Sequence, residues 1–508
     1  MIGGEMPGFG EERPPAGGAL LGYVAGRLPA GARVLAAGPH ENALIDALAA
    51  RTILTCLVRS QPAAEALDAR GIDVLCGTLA KLTDAGPWDV IVALDGVGRL
   101  CSVEGPQLDW AESLQALKRA LRPGGTLLLA VENELGVHRL VDPASPTAAQ
   151  TDDAWRPLGE FDTSRPGTPA RLAARLSAEG LTVDWLGAAW PGPASPTVIA
   201  TPDALRDGPA DALAAVAAGA VGSAYADRSV LSDPRRLVAA AVHGGLGPEL
   251  AAAWLVAAHL APRLAAPLDL PPVLLGDGDG PVLEVAPGPG GGWVRRVLRH
   301  AEGRDPSGLD GPLPAGRQLE ELLLAACLRH DLPVVRRLLT GWIAALPGVA
   351  ADNVVVAGDT YAKLDPSVPA RADVLRGFAR TLLTGGYPHP WPAATDLPVL
   401  TAILHAAAGL PGDPSAISAV STVPAGADPP AIDSRRDHEE QIRALRRRLD
   451  DAASRAQWYE RELGKRDAEL RKARLMIATF SGSVGYRVAR LGYGVARKAR
   501  NRLRKGHR

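Results

Sequence analysis

The sequence contains little cysteine. Its 508 residues include four, Cys56, Cys76, Cys101 and Cys327, and no two of them form a CxxC pair. Three of the four fall in or beside segments that we expect to be buried strands. Because a disulfide framework needs paired cysteines in an oxidising compartment, we expect reduced core thiols in a cytosolic protein.

Long apolar runs and several catalytic motifs are also missing. No stretch reaches the roughly 18 consecutive apolar residues of a membrane-spanning helix. Residues 1–15 have neither a basic region nor an apolar run, so we expect no signal peptide. The sequence has no cluster of metal-ligating residues, no GxSxG and no P-loop, and we therefore expect no metal site.

The C-terminal segment, residues 484–508, contains no acidic residue. The formal net charge is −1, yet residues 484–508 hold nine Lys or Arg and no acid, which leaves about −10 on the rest. This tail also contains tyrosine, leucine and valine. We expect it to bind an anionic membrane surface. No nucleic-acid-reading motif accompanies the basic residues, so we do not expect a nucleic-acid partner.

Residues 1–205 alternate between short apolar strands and helical segments. Strands are predicted near 33–38, 53–58, 73–77, 88–95 and 126–132, and two more near 181 and 196 are joined by a short PGPAS link. Such alternation predicts an α/β domain with a doubly wound parallel sheet. The short link requires the last two strands to be antiparallel.

Residues 206–410 predict a second, mainly helical α+β domain. Residues 206–262 are alanine-rich and helical in pattern, and glycine-punctuated strands follow in VLLGDGDGPVLEVAPG and WVRRVLR. Helices are predicted over 318–330, 333–346, 371–384 and 397–409. The stretch 353–365 predicts a hairpin that turns at Gly358–Asp359.

The composition changes again after residue 410. Residues 411–434 are rich in proline, serine and alanine without periodicity, which is typical of a linker. Residues 435–480 then place apolar side chains at 3–4 spacing for more than five heptads, which predicts a coiled coil with a second copy or a partner chain. The alternative is a lone amphipathic helix packed on the body. Residues 481–508 form the basic amphipathic tail.

Two stretches of the first domain resemble class I S-adenosylmethionine-dependent methyltransferases. They are WDVIVALDGVGRL and, after a helix, LKRALRPGGTLLLAVEN. In that family the fourth strand ends near the substrate, and a helix leads through an L-x-P-G-G turn to the fifth strand. The resemblance implies a Rossmann-like methyltransferase sheet, S-adenosylmethionine as cofactor and a methyl-accepting substrate.

The cofactor motifs depart from that family. Ala36 stands where strand one should carry an acid, and the following turn, GPHEN at 38–42, keeps one glycine of three. Glycines allow a backbone to approach a ligand closely. Arg59 stands where a ribose-binding acid is expected. It could serve an anionic ligand instead, or point to solvent.

The resemblance still places a site in the crevice at the carboxyl ends of the strands. The predicted cofactor-binding residues are Gly38, His40, Val58, Arg59, Thr78 and Asp95. Glu132 or His138 could act as a general base, with Asn133 beside them.

The second domain shows a weaker resemblance to protein kinases, in the order of its strands, helix and motif residues. Asn353 and Asp365 have the spacing of the two magnesium-binding residues of kinases, but Gly348 replaces the catalytic aspartate. Arg296 or Arg299 would have to replace the kinase lysine, opposite Glu320 or Glu321. A degenerate kinase-like fold and an unrelated helical module with a hairpin both remain open.

The order of segments resembles that of bacterial surface-polysaccharide methyltransferases with a C-terminal coiled coil. It implies a cytoplasmic protein, peripheral at the inner face of the membrane, that methylates a sugar hydroxyl or a small-molecule acceptor in cell-envelope glycan biosynthesis. The alternative is a catalytically degenerate scaffold that recruits glycosyltransferases or itself through the coiled coil.

Overall fold

The structure is a computed structural model. It describes residues 1–410 apart from residues 12, 85, 103–104, 107, 143–161, 227, 229, 263–265, 277, 279 and 301–307, and beyond 410 only single residues between 445 and 497. The chain divides into two units, Met1–Ala427 and Asp428–Arg508. The linker at 411–434 lies outside the described residues. The coiled coil at 435–480 and the tail at 481–508 lie almost entirely outside them, so all three stay predictions.

Fifteen strands belong to the described residues. They are β1 (Arg33–Ala37), β2 (Ile53–Val58), β3 (Asp73–Cys76), β4 (Trp88–Ala93), β5 (Leu121–Glu132), β6 (Leu181–Trp190), β7 (Val198–Ala200), β8 (Ala253–Leu260), β9 (Val273–Leu275), β10 (Val282–Pro287), β11 (Trp293–Arg299), β12 (Gly311–Pro312), β13 (Arg317–Gln318), β14 (Val354–Ala357) and β15 (Thr360–Lys363).

Fourteen α-helices belong to the described residues. They are α1 (Ala19–Gly26), α2 (Asn42–Ala49), α3 (Gln61–Asp68), α4 (Trp110–Ala120), α5 (Val137–Val141), α6 (Pro169–Ala178), α7 (Pro202–Asp207), α8 (Ala210–Ala224), α9 (Pro234–His243), α10 (Gly247–Leu250), α11 (Leu319–Leu328), α12 (Leu332–Ala345), α13 (Val374–Thr384) and α14 (Leu397–Ala407).

Five parallel strands form one end of a twelve-stranded sheet, in the order β3-β2-β1-β4-β5. The chain runs outward from β1 to β3 and then returns to β4 on the other side of β1. Such a reversal opens a crevice at the carboxyl ends of the strands. The predicted parallel Rossmann-like sheet is therefore confirmed.

The two faces of this sheet bury alternate residues of the same strands. Leu35, Ile91 and Leu129 pack on the face covered by α4, α6 and α8, whereas Val34 and Val92 pack on the face covered by α1 and α2. A sheet that is buried on both faces has strands that are apolar throughout, because neither face meets water. This explains the apolar runs of β1, β4 and β5.

The sheet does not end at residue 205, where the domain boundary was predicted. β8 comes from the stretch predicted as helical, and it lies between β5 and β6, antiparallel to both. Its sequence, AWLVAAHL, is buried almost throughout. A fully buried strand has no polar alternation, and its alanines favour helix locally. Tertiary packing overrides that local preference here.

The glycine-punctuated strands also join the first sheet rather than a separate domain. β6 and β7 form the expected antiparallel pair, and β9, β10, β11 and β12 continue the sheet beyond β7. The strands were predicted correctly, but their partners were not. Pairing between β7 and β9 joins segments more than 70 residues apart in sequence, and local patterns do not encode such partners.

The helical part that follows has its own core. α11 to α14 pack around Leu319, Trp342, Phe378 and Leu404 beside the three-stranded sheet β13-β14-β15. The predicted hairpin is confirmed, since Ala357 pairs with Thr360 across Gly358, whose φ is 61°. A positive φ favours glycine at this turn. No helix in the described part of the chain is long and apolar enough to cross a membrane.

Candidate functional site

The crevice brings together residues that follow four different strands. Gly38 follows β1, Arg59 follows β2 and Asp95 lies just after β4, while Glu132 ends β5. Parallel strands place their carboxyl ends at one edge of the sheet, so these residues lie along the same edge. What they contact there decides the chemistry of the crevice.

The turn after β1 is filled by its own histidine. The His40 ring is buried, and its Nε2 accepts the Leu94 N–H at 3.3 Å. Its Nδ1 must then carry the proton, and it donates to the Gly38 carbonyl at 2.9 Å. Burial lowers the pKa of His40 to about 4, so the ring is neutral at pH 7.

An N-terminal strap, made of the described residues 2–11 and 13–16, crosses the same edge of the sheet. The Ile2 N–H donates to the Cys76 carbonyl at 2.8 Å, and the Met6 N–H donates to the Arg59 carbonyl at 2.8 Å. Ala16 exchanges two backbone hydrogen bonds with the β1 turn, at Pro39 and Glu41. The strap therefore attaches in turn to the ends of β3, β2 and β1.

Arg59 binds a carboxylate that the strap supplies. Its Nε and Nη2 donate to the two Glu11 oxygens at 2.7 and 3.0 Å, and its Nη1 donates to the Cys101 carbonyl at 2.8 Å. The Phe9 ring centroid lies 5.2 Å from the Arg59 guanidinium carbon. This is the bidentate arrangement that guanidinium groups form with carboxylates. Arg59 therefore does not point to solvent, and the anion that it contacts belongs to the chain itself; a role with an anionic ligand stays a prediction.

A second arginine holds the other end of the strap. Arg99 has a side chain only 5% exposed, and its Nη1 lies 3.7 Å from Glu11. It donates to the carbonyls of Arg13 and Pro14 at 2.8 and 2.9 Å, and it forms a two-point pair with Asp95. Two guanidinium groups and two carboxylates thus neutralise one another in the crevice.

The residues present do not fit S-adenosylmethionine. Pro39 lacks an N–H in the turn, the His40 ring occupies it, and Arg59 is engaged by Glu11. Thr78 is fully buried with its hydroxyl on the Leu100 carbonyl at 3.3 Å, and Val58 packs in a small core cluster. A ribose needs an acceptor at the end of β2, whereas this chain presents a cation. The predicted cofactor-binding roles of these residues therefore stay predictions.

The predicted general bases lie together at the end of β5. His138 Nε2 is 3.1 Å from Glu132, and Arg139 donates to the same carboxylate at 2.7 Å. Burial alone would raise the pKa of Glu132, but the His138 hydrogen bond and the charges of Arg139 and Arg13 hold it well below its usual range. So acidic a carboxyl is a weak base at pH 7.

The geometry around the histidine also disfavours base catalysis. His138 Nδ1 is buried, and a Cβ added at Gly136 would lie 2.7 Å from it, so that nitrogen faces the backbone. The Asn133 amide donates to the Glu249 and Ala251 carbonyls at 2.6 and 2.8 Å. Asn133 therefore joins β5 to the turn before β8, which is a structural role.

A second polar centre, which sequence reasoning missed, lies at the start of α9. We call it the charge cluster: Asp233, Arg235, Glu320 and Tyr387. Arg235 donates to both oxygens of Glu320 at 2.9 Å and to Asp233 at 3.0 Å, and the Tyr387 hydroxyl also bonds to Asp233. Burial raises the pKa of Glu320 to about 7, against the opposing Arg235 charge.

The charge cluster corrects the predicted kinase-like pairing. Glu320 binds Arg235 and not Arg296, which pairs with Glu284 at 3.2 Å. The signal that could have located this pair was an Asp-Pro-Arg helix start beside a glutamate-rich one, but many surface helices share it. Two small cavities adjoin Glu320. One is lined by Asp352, Arg371 and Thr381, the other by Arg236 and Gln318.

Asn353 and Asp365, the other kinase-like pair, hold each other. The Asn353 amide donates to the Asp365 carbonyl at 2.9 Å and accepts its N–H at 2.7 Å. The Asp365 carboxylate caps the next turn by accepting from the Ser367 N–H at 2.8 Å. The two hydrogen bonds between Asn353 and Asp365 close the β14–β15 hairpin at its open end. Among the described residues no group of three or more His, Cys, Asp or Glu could hold a metal.

No family model and no curated protein matches this chain. Solved structures similar to it include S-adenosylmethionine-dependent methyltransferases from Geobacter sulfurreducens and Thiobacillus denitrificans, both in complex with S-adenosyl-L-homocysteine. Each is 18% identical over 47% of this chain and 88% of its own, with TM-scores of 0.25 and 0.22. The [4+2]-cyclase SpnF is 18% identical over 47% of this chain and 80% of its own, with a TM-score of 0.25. These values are too low to support an argument, so the fold assignment rests on the strand order.

Proposed function

We propose that this chain is a catalytically degenerate protein of the methyltransferase-type fold, acting as a scaffold. The observation that supports this proposal is the bidentate salt bridge between Arg59 and Glu11. A position where this fold usually presents an acid to a ribose holds a cation, and that cation binds the chain's own strap. The side chains of Arg59 and Glu11 are only 17% and 15% exposed, so the pair is largely withdrawn from solvent.

The scaffold would act in the biosynthesis of cell-envelope polysaccharide. The sequence supports this by its order of segments: a sheet domain, a helical part, heptads at 435–480 and a basic tail at 484–508. The heptads would recruit a second copy or a glycosyltransferase, and the tail would hold the assembly at an anionic membrane surface. The protein would then lie in the cytoplasm, peripheral to the membrane.

Calorimetry with S-adenosylmethionine tests the catalytic half of the proposal. We expect the full chain to show no binding at about 100 μM cofactor, which corresponds to about 5.5 kcal/mol. A triple variant, His40→Gly, Asn42→Gly and Arg59→Glu, restores two glycines and the acid and should gain weak binding. The matched control carries His40→Gly, Asn42→Gly and, in place of Arg59→Glu, Arg51→Glu at an exposed position. It should show no binding of S-adenosylmethionine. Low-micromolar binding by the unmodified chain would overturn the proposal.

Sedimentation and vesicle flotation test the scaffold half. The full chain should self-associate, and Leu449→Asp with Leu470→Asp should abolish the association, because aspartates disrupt an apolar helix seam. If the parent chain sediments as a monomer, the proposal of self-assembly is wrong. Vesicles that contain anionic lipid should retain the chain at about 0.15 M salt, and neutral vesicles should not. If neutral and anionic vesicles retain the chain equally, the proposal that the tail binds an anionic membrane surface is wrong.

The second candidate function is methylation of a sugar hydroxyl. Only the position of the Glu132–His138 pair favours it, since the two side chains lie 3.1 Å apart at the end of β5, where a substrate is expected; their chemistry disfavours base catalysis. The strap would have to leave before any substrate reached them, since Arg13 of the strap lies 3.5 Å from Glu132. The same calorimetry decides between the two functions, because methyl transfer requires the unmodified chain to bind the methyl donor.

A further inference from the structure

The strap and the crevice balance each other's charges. With the strap in place, the Arg59 and Arg99 guanidinium groups face the Glu11 and Asp95 carboxylates. Without the strap, Glu11 leaves and only Asp95 remains. Two guanidinium groups that both contact Glu11 would then face one carboxylate, and they would gain solvent exposure because the strap now covers them. Neighbouring like charges repel each other, so the open crevice favours another anion.

The donors that the strap would release are close together. Arg59 would free Nε and Nη2, which now bind Glu11, and keep its bond to the Cys101 carbonyl. Arg99 would lose the carbonyls of Arg13 and Pro14 and keep its pair with Asp95. Both guanidinium groups already converge on Glu11. The released donors therefore point at one volume, where a ligand with several oxygen atoms would be surrounded.

A helix N-terminus adjoins the same volume. The Gln61 N–H at the start of α3 now donates to the Met6 carbonyl of the strap at 3.3 Å. The Ser60 hydroxyl donates to the Phe9 carbonyl at 2.6 Å. Both donors would also become available when the strap leaves. Backbone N–H groups at a helix start, together with arginines, suit phosphate oxygens.

We infer that the crevice is an oligophosphate-binding site and that Glu11 is its built-in competitor. An incoming diphosphate group would replace the Glu11 carboxylate between Arg59 and Arg99 and release the strap. The inference rests on the proposed closure of the crevice by the strap, but not on whether the chain transfers methyl groups. Diphosphate is favoured over a single carboxylate because more released donors are present than two oxygens can accept.

Hydrogen exchange on the full chain tests the inference, with inorganic pyrophosphate as the probe at constant ionic strength. We expect saturating pyrophosphate to speed exchange of the Ile2 and Met6 amides about tenfold, because both are bonded only while the strap is seated. Arg59→Gln should abolish the response. Glu11→Gln should lower the half-saturating pyrophosphate concentration about tenfold, since the competitor loses its charge.

Glu65→Gln is the matched control, since Glu65 lies on α3 and its side chain bonds only to Gln61 in the described structure. It should respond like the parent chain. If Glu11→Gln already frees the strap without a ligand, calorimetry with pyrophosphate still compares the affinities. Unchanged exchange in the parent chain, or an equal shift in Glu11→Gln and Glu65→Gln, overturns the inference. Binding of S-adenosylmethionine would overturn the proposed function alone.

Discussion

The crevice and the charge cluster both withdraw arginine–carboxylate pairs from water, but their partners are attached to the fold in different ways. In the crevice, Glu11 belongs to a strap held by a few backbone hydrogen bonds. In the charge cluster, Glu320 sits on a helix whose neighbours Leu319 and Leu323 are fully buried in the helical core. Of the described strap residues, only Ile2 and Ala16 contact a core cluster, so the stretch between them, which carries Glu11, can leave without emptying a core. Glu320 cannot leave in this way, because its helix forms part of the helical core. The same chemistry therefore gives a displaceable contact in one place and a fixed joint in the other.

The two regions also differ in the sign of their response to pH. Burial lowers the pKa of His40 in the crevice to about 4, so acid opposes the folded state there. Burial raises the pKa of Glu320 in the charge cluster to about 7, so alkali opposes it there. In both cases burial shifts the pKa towards the neutral form, because desolvation penalises charge of either sign, and at Glu320 the Arg235 charge opposes this shift.

The largest expected effect comes from breaking the fixed joint. Arg235→Ala leaves Glu320 and Asp233 without their cation, and Glu320 is only 7% exposed. We expect the free energy of unfolding to fall by about 3–5 kcal/mol. Urea unfolding followed by tryptophan fluorescence at pH 8, where most of Glu320 is ionised, measures it.

Arg236→Ala is the matched control for that change. Arg236 is the next residue on α9 and is exposed, and its guanidinium carbon lies 5.3 Å from the Tyr387 ring centroid. Losing an exposed cation–π contact should cost about 0.5–1 kcal/mol. Equal losses for the two variants would mean that the charge cluster contributes no more than a surface contact.

The opposite pKa shifts of His40 and Glu320 predict that the stability differences between the parent chain and the variants His40→Gln and Glu320→Gln change with pH in opposite directions. His40 binds its proton less readily when folded, so its contribution is complete above pH 6.5 and is lost as the pH falls towards 4. The stability difference between the parent chain and His40→Gln should therefore shrink by about 3 kcal/mol between pH 7 and pH 4.

Glu320 should give the reverse. It binds its proton more readily when folded, so its contribution is complete below pH 4.5 and is lost as the pH rises through 7. The difference between the parent chain and Glu320→Gln should shrink by about 3 kcal/mol between pH 4.5 and pH 8. Denaturant titrations across this range measure both slopes. Slopes of the same sign would contradict burial as the common cause.

Much of the sheet could be predicted from the sequence because its elements are local. β1 to β5 are short apolar runs between helices, and that pattern has few other solutions. β8 could not be predicted in this way. Its alanine-rich run resembles the helices beside it, and only its neighbours β5 and β6, one of them more than 100 residues away, make it a strand.

In the crevice, too, one residue could be identified from local sequence and its partner could not. Arg59 could be identified as an unusual cation, because the position at the end of β2 has an expected chemistry. Its partner could not be identified, because Glu11 is 48 positions away in a glycine- and proline-rich stretch without periodicity. The strap is bound mainly through backbone groups and through the ion pairs of Glu11 and Arg13. Such contacts leave almost no pattern in the side chains, so the sequence shows an anion-binding arginine without showing what it binds.

The smallest expected effect sharpens the contrast between displaceable and fixed contacts. Ser60 accepts the Ala63 N–H at 3.3 Å as the cap of α3, and it also donates to the Phe9 carbonyl of the strap. Ser60→Ala removes both bonds. We expect about 1 kcal/mol from the lost cap and about fivefold faster exchange of the strap amides from the lost strap bond.

Thr168→Ala separates these two consequences. Thr168 caps α6 in the same way, since it accepts the Arg171 N–H at 3.2 Å, but it has no hydrogen bond to the strap among the described contacts. It should cost a similar 1 kcal/mol in urea and leave exchange at Ile2 and Met6 unchanged. If it speeds strap exchange as much as Ser60→Ala does, the strap follows overall stability and is not an independent element. If only Ser60→Ala speeds exchange, the strap opens by itself while the sheet stays folded, which a ligand-exchangeable crevice requires.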